Sequence, residues 1–399
     1  VIIGPTPPPW PQEGRAPNPE QGMRRIGMAI GMVLSTFTQA QEFPGLPDPL
    51  VMTRGEPVES AEQWHQGRRP EILELFRTHV YGRTPPWSGT MRYAIIDDEP
   101  GALSGTAIRR QVALETGSGD RALRMDLLLY LPASAGERPA PVVLLLNFLG
   151  NHTVHPDPAI VLPQSARDPE SPPARAARGS RQSRFPLEQI LARGYGVATM
   201  YCGDIDPDVD DGVRNGVHPL LDAPGGRGPD AWGTVAAWAW GLSRAMDYLV
   251  TDPGVDPGRV AVMGHSRLGK TALWAGAQDE RFAVVISNNS GCTGAALARR
   301  KQGETVRAIN DRFPHWFCEI YRPYNDREDA LPVDQHMLIA LIAPRPVYVA
   351  SATGDPWADP EGEFQSCVHA GPVYGLFGLE GLGTATPPAP DEPVADGHI

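Results

Sequence analysis

Apolar positions follow two rhythms along this chain. Between residues 92 and 147 they come in short runs of strand character, at 92–96, 108–114, 124–131 and 141–147. The third run clusters more than it alternates and the fourth is almost wholly apolar, which predicts strands covered on both faces. A helix is predicted over 69–81, with Pro70 suited to its first turn. From 187 onward the rhythm is regular: helix 187–193, strand 196–200, helix 234–250, strand 259–263, helix 270–278, strand 282–287, helix 333–342, strand 346–350 and helix 361–373. Parallel strands need crossover connections, so this alternation predicts an α/β fold: a mostly parallel sheet with helices on both faces. Ligands of such sheets sit at the carboxyl ends of the strands.

One stretch breaks the rhythm. Residues 154–184 have little periodicity, several prolines, and Arg167, Arg175, Arg178, Arg181 and Arg184. They read as a surface insertion, a loop or lid, whose basic side chains either attract an acidic polymer or are simply solvated.

Ahead of the first element the composition changes. Residues 1–22 are rich in Pro and Gly and begin with Val, so they read as upstream sequence or a disordered extension. Met23-Arg24-Arg25, a short apolar stretch over 26–34 and small residues up to Ala40 then match a secretory signal peptide over 23–40. The apolar stretch is too short to span a bilayer. The mature chain is expected to begin near Gln41 and to work outside the cytoplasm, secreted or periplasmic, with no membrane span. With 399 residues, one large domain fits as well as two smaller ones. The net charge of −12 argues against a nucleic-acid partner, since phosphate binding needs a basic face. Four cysteines are too few to be the scaffold, although one disulfide is allowed in an oxidising compartment. No CxxC or HExxH spacing occurs, so neither metal nor other cofactor is expected.

Candidate chemistry centres on Gly264-His265-Ser266-Arg267-Leu268-Gly269-Lys270, between the predicted strand 259–263 and helix 270–278. A serine among glycines at a strand-to-helix turn matches a nucleophile elbow, although the second glycine comes one place later than usual. The same serine could instead be an ordinary helix N-cap. A nucleophilic serine needs a base and an acid to orient it, in the order Ser, acid, His. Asp355 follows the predicted strand 346–350 and is the expected acid, a turn role being its alternative. His398, in a loop near the last residue, suits the base better than His369, which falls within a predicted helix. Arg267 would supply the backbone N–H after the nucleophile to an oxyanion, and its side chain can add a charged donor. Lys270, four residues on, lies on the same helix face as Ser266, where it either meets a carboxyl- or hydroxyl-bearing substrate or bonds protein carbonyls.

The stretch from Gly264 to Lys270 resembles the serine motif of the bacterial glucuronoyl esterases, carbohydrate esterase family 15. Other loops agree: Arg-Arg-Pro-Glu at 68–71, Leu-Asn-Phe-Leu-Gly-Asn-His-Thr at 146–153, Gly-Asp-Ile-Asp-Pro-Asp at 203–208, Asn-Asn-Ser-Gly at 288–291, Arg299-Arg300, Phe-Pro-His-Trp-Phe at 313–317, Leu-Pro-Val-Asp-Gln-His at 331–336 and Ala-Pro-Arg-Pro at 343–346. The resemblance spans roughly residues 42–398. It implies one α/β-hydrolase domain over 41–399 that cleaves esters of 4-O-methyl-glucuronic acid in glucuronoxylan, as in lignin–carbohydrate cross-links. It also implies Ser266 as nucleophile, His398 as base, Arg267 as oxyanion donor, Lys270 and Glu304 as ligands of the uronate hydroxyls, and Trp357 as cover for a sugar face. Two departures stand out. Many relatives carry a glutamate where this chain has Asn289, so Asp355 is the expected acid; and relatives continue past the histidine, which suggests a truncated C-terminus.

The implied reaction is acyl transfer through a Ser266 acyl-enzyme. An acetylxylan or other sugar-acyl esterase is the nearest rival, one that has no need of Lys270. A non-catalytic polysaccharide-binding protein on a hydrolase fold is a rival of another class.

Overall fold

The computed structural model describes residues 45–119, 122–222, 226–394 and 397–399. The extension and the leader read at 1–22 and 23–40 lie outside the described residues. Eight strands form one sheet: β1 (Arg92–Gly101), β2 (Ala107–Thr116), β3 (Leu123–Pro132), β4 (Ala140–Asn147), β5 (Gly196–Tyr201), β6 (Val255–His265), β7 (Val284–Asn288) and β8 (Val347–Ala350), in the order β1-β2-β3-β5-β4-β6-β7-β8. β4 to β8 run parallel, while β3 is antiparallel to β5 and β2 is antiparallel to both β1 and β3. This is the mostly parallel α/β architecture that the alternation of apolar runs predicts. It is an α/β-hydrolase fold.

Period-two geometry explains why the β3 run clusters. Leu127, Leu129 and Leu131 point into the larger core with Leu144, Met200 and Val262, whereas Leu128 and Tyr130 point the other way, into a second core. The larger core is closed by α1 (Arg69–His79), α3 (Thr234–Leu249), α4 (Arg267–Gln278), α6 (Gln335–Ala340) and α7 (Pro360–Gly375). Buried rings join them, with Tyr81 stacked on Trp274 at 4.4 Å and its hydroxyl donating to the Thr293 carbonyl at 2.7 Å. The second core is covered by α2 (Leu187–Ala192) and by part of the insertion.

That last point corrects an expectation. Residues 154–184 are not purely a surface loop: Val154 and Ile160, with the neighbouring Phe185, are buried against Leu128, Tyr130 and Val197. The sheet face there has no long helix, so these apolar side chains cover it. Arg178 anchors the segment by donating to the carbonyls of Asp157 and Ile160, and Asp157 pairs with Arg109. Arg167, Arg175, Arg181 and Arg184 are exposed.

Helix ends also shift for local reasons. α6 starts at Gln335 because the buried Asp334 is its N-cap, also accepting from the amides of Ala298 and Arg299. α5 (Val306–Arg312) has no counterpart among the predicted elements; Thr305 caps it by accepting from the Ala308 amide at 3.2 Å. The four cysteines are buried and unpaired. Among the described residues, no helix is long and apolar enough to cross a membrane.

Candidate active site

Ser266 sits between the last residue of β6 and the first of α4, at φ 57° and ψ −129°. This left-handed backbone is costly for a non-glycine residue and marks a strained turn. A helix N-cap normally has extended backbone and a side chain that accepts an amide; Ser266 has neither. The turn instead fits a nucleophile elbow. Its carbonyl accepts from the amides of Gly269 and Lys270, and its own amide donates to the Asn288 carbonyl at 2.9 Å.

The two glycines explain the shifted motif. A Cβ on Gly264 would lie 1.9 Å from the Leu268 carbonyl oxygen, so the strand cannot pass the helix start with any side chain there. A Cβ on Gly269 would lie 3.0 Å from the Ser290 Cβ, so the glycine three places after the serine is where α4 meets the loop after β7. Position 268 faces the core, and Leu268 is buried.

Ser266 opens into a cavity of about 210 Å³ lined by His265, Arg267, Lys270, Asn289, Glu304, Asp355 and Trp357, with Phe313 and Trp316 on one wall. Every expected site residue except His398 is therefore brought together, on the first turn of α4 and on loops at the carboxyl ends of β6, β7 and β8. Asp355 Oδ2 accepts from Asn289 Nδ2 at 2.9 Å, so the two candidates for the acid position are neighbours. Asn289 has φ 46°, and its amide donates to the Ala350 carbonyl. Trp357 is 48% exposed, and its carbonyl accepts the Glu304 amide at 2.8 Å.

Lys270 resolves in an unexpected way. It lines the cavity, yet its buried ammonium donates to the carbonyls of Ser290 and Cys292 at 2.6 Å each and to Glu304 Oε2 at 2.7 Å. An ammonium has three protons, and all three are used. Of the alternatives open at the sequence level, the carbonyl-bonded one is seen here, at a residue that also lines the cavity.

His398 is a correction. Its carbonyl accepts the Val347 amide at 2.9 Å and its amide donates to Glu380. Val347 pairs with Val285 near the start of β7, whereas Ala350 pairs with Asn288 at the cavity edge. His398 therefore joins the sheet three residues, about 10 Å, back from that edge. The one histidine lining the cavity among the described residues is His265, whose Nδ1 lies 2.6 Å from Asn288 Oδ1. Ser266 Oγ has no hydrogen bond among the described residues.

A family model described as fungal glucuronyl esterase matches residues 227–378. A carbohydrate esterase from an unknown prokaryotic organism is 51% identical over 358 residues, covering 88% of this chain and 82% of that protein. This chain belongs to carbohydrate esterase family 15. The solved glucuronoyl esterase of Solibacter usitatus is similar as well, with 50% identity, a TM-score of 0.83, and coverage of 89% of this chain and 91% of the other. The 4-O-methyl-glucuronoyl methylesterase of Schizophyllum commune is 27% identical over 84% of this chain and 74% of its own.

As a member of this family the chain is a carboxylic ester hydrolase, and several residues without a sequence-level role support its site. Glu363, fully buried in the first turn of α7, accepts from the amides of Ser290 and Gly291 and from the hydroxyls of Ser290 and Ser351. Burial pushes its carboxyl up, against the pull of those hydrogen bonds. It ties the loop after β7 to the end of β8, which sets Asn289 beside Asp355. In the sequence it looks like any acidic residue in a helix's first turn. Asp208, His315 and Trp316 lie in motifs that mark the family without announcing their contacts. Burial raises all four thiols, so they stay protonated at neutral pH. Among the described residues, no group of His, Cys, Asp or Glu is placed to hold a metal ion.

Proposed function

We propose that this esterase hydrolyses esters of glucuronic acid and its 4-O-methyl ether in glucuronoxylan, including those to lignin alcohols, after export through the leader at 23–40. The observation that carries the reading is the cavity that sets the strained Ser266 beside Glu304, Asp355 and the exposed Trp357 indole. Supporting it are the names of relatives, a 4-O-methyl-glucuronoyl methylesterase and a glucuronoyl esterase.

In this reading Ser266 Oγ attacks the uronoyl carbonyl as its proton passes to a histidine base, the oxyanion is met by the Arg267 amide and guanidinium, the base returns the proton to the leaving alcohol, and water then hydrolyses the acyl-enzyme. Lys270 spends its protons on the protein, so its part is to hold the loop at 290–292 and Glu304. Glu304 Oε1 has no hydrogen bond among the described residues, and a sugar hydroxyl can donate to it. Trp357 offers a flat apolar face to the pyranose ring. Asp355 is the acid, steadied by Asn289. His398, tied to the far end of β8, is withdrawn as base.

The test is hydrolysis of benzyl glucuronate beside acetylated xylan. Benzyl glucuronate is cleaved, Ser266→Ala removes at least about 1,000-fold of kcat, and Asp355→Ala about 100-fold or more. Cleavage of acetylated xylan alone would replace this reading with an acetyl-esterase one. No turnover, with no labelling of Ser266 by a phosphonate reagent, would leave a polysaccharide-binding protein. Loss of activity in Asn289→Ala with activity kept in Asp355→Ala would move the acid role.

A further inference from the structure

Arg267 is held from three sides. Its guanidinium lies over the Phe148 ring at 4.7 Å and near the Trp316 ring at 5.8 Å, and its buried Nε forms an ion pair with Asp208 Oδ2 at 2.8 Å, without hydrogen-bond alignment. The other oxygen of Asp208 accepts from His315 Nε2 at 3.0 Å and Trp316 Nε1 at 2.7 Å. One carboxylate thereby joins the loop after β5, the start of α4 and the segment at 315–316. Arg267 lines the cavity, and its Nη atoms have no hydrogen bond among the described residues; Asp208 does not line it.

From this geometry we infer that Asp208 is a positioning residue for the esterase reaction, pinning the Nε side of Arg267 so that the Nη edge faces the oxyanion before it forms. The inference rests on the oxyanion role proposed for Arg267. A free arginine side chain samples many rotamers, and a donor stabilises a developing charge best when it is already in place. The pin has a cost as well, because a carboxylate beside the guanidinium offsets part of its positive charge. Positioning outweighs that offset if turnover falls when the charge of Asp208 is removed. Burial works against an ionised Asp208, but the His315 hydrogen bond, the Arg267 charge and the Trp316 hydrogen bond together hold its carboxyl below the usual range.

A double-mutant cycle on benzyl glucuronate decides it, with Asp208→Asn, Arg267→Met and the pair. Arg267→Met is expected to lower kcat about 100-fold, the scale of losing one oxyanion donor. Asp208→Asn is expected to lower kcat about 10-fold with KM within about twofold, and the double variant should be no slower than Arg267→Met. A merely structural Asp208 gives losses that multiply in the double variant, and that result, or a kcat kept or raised in Asp208→Asn, overturns the inference. An unchanged kcat in Arg267→Met removes the oxyanion reading itself and is distinguishable on that ground. If Asp208→Asn loses its cooperative melting transition, Asp208→Glu keeps the charge, moves it by one methylene and carries the same cycle with the same expected coupling.

Discussion

Ser266 and Asp204 show how far one residue's surroundings can move its chemistry. Ser266 owes its exposure to a backbone angle that glycine would take more cheaply, and the strain is carried by the amide and carbonyl bonds on either side. Asp204, on the turn after β5, has Oδ2 buried without a hydrogen-bond partner among the described residues. Burial, and then the charge of Asp126, push its carboxyl up to about 8. The folded state therefore prefers the protonated acid. Its contribution to stability is full below the ordinary carboxylate range of about 4 and is lost as pH rises through about 8, by at most about 1.4 kcal/mol per pH unit. Urea midpoints at pH 5.5 and 8.5 should fall more for the parent than for Asp204→Asn, which stays neutral; equal falls would mean that Asp204 is ionised in the fold. Neither property is legible from residue type alone. Ser266 could be read from its glycines, whereas Asp204 looks like one of three aspartates in Gly203-Asp-Ile-Asp-Pro-Asp208.

At the scale of elements, the strand-turn-helix of β6 and α4 is the unit that the chemistry depends on. Its apolar run, its glycines and the helix after it are local properties, and the elements appear within a few residues of where periodicity puts them. The spacing of the glycines had a tertiary cause: Gly264 makes room for the Leu268 carbonyl, and Gly269 for the loop at 290. Gly264→Ala must push back the main chain, and it should cost about 3 kcal/mol or more, seen as a lower melting temperature together with lost turnover. Gly269→Ala meets only a side-chain methylene and the Gly264 carbonyl at 3.2 Å, so it should cost less. A Gly264→Ala variant as stable as the parent would contradict this account of the turn. The elements that periodicity missed or misjudged have little apolar signal of their own: α5 begins at a threonine cap, and the insertion hides the buried Val154 and Ile160 within a polar, proline-rich stretch.

Across the whole molecule, arginines distant in sequence close the end of α4 away from the cavity. Arg345 donates to the carbonyls of Gly276, Asp279 and Phe282, and Arg69 donates to those of Ala277 and Leu341. The Gly276, Ala277 and Asp279 carbonyls are among the orphans that the end of α4 leaves, met here by the segment before β8 and by α1. Burial lowers the pKa of both guanidiniums, yet each stays charged at working pH. Arg345→Met takes the guanidinium donors away from the Gly276, Asp279 and Phe282 carbonyls and should cost about 2–3 kcal/mol, a fall of several degrees in melting temperature. An unchanged melting temperature would show that water replaces the guanidinium without loss. Sequence alone determined the strands and long helices, the parallel sheet and the serine turn, because apolar period and turn chemistry act over a few neighbouring residues. Tertiary structure decided the rest: that Lys270 is spent on carbonyls, that Glu363 and Asp208 hold the site, and that His398 joins the wrong end of β8. Those outcomes depend on which distant loops meet at one sheet edge, and contacts between distant loops leave no local period to read.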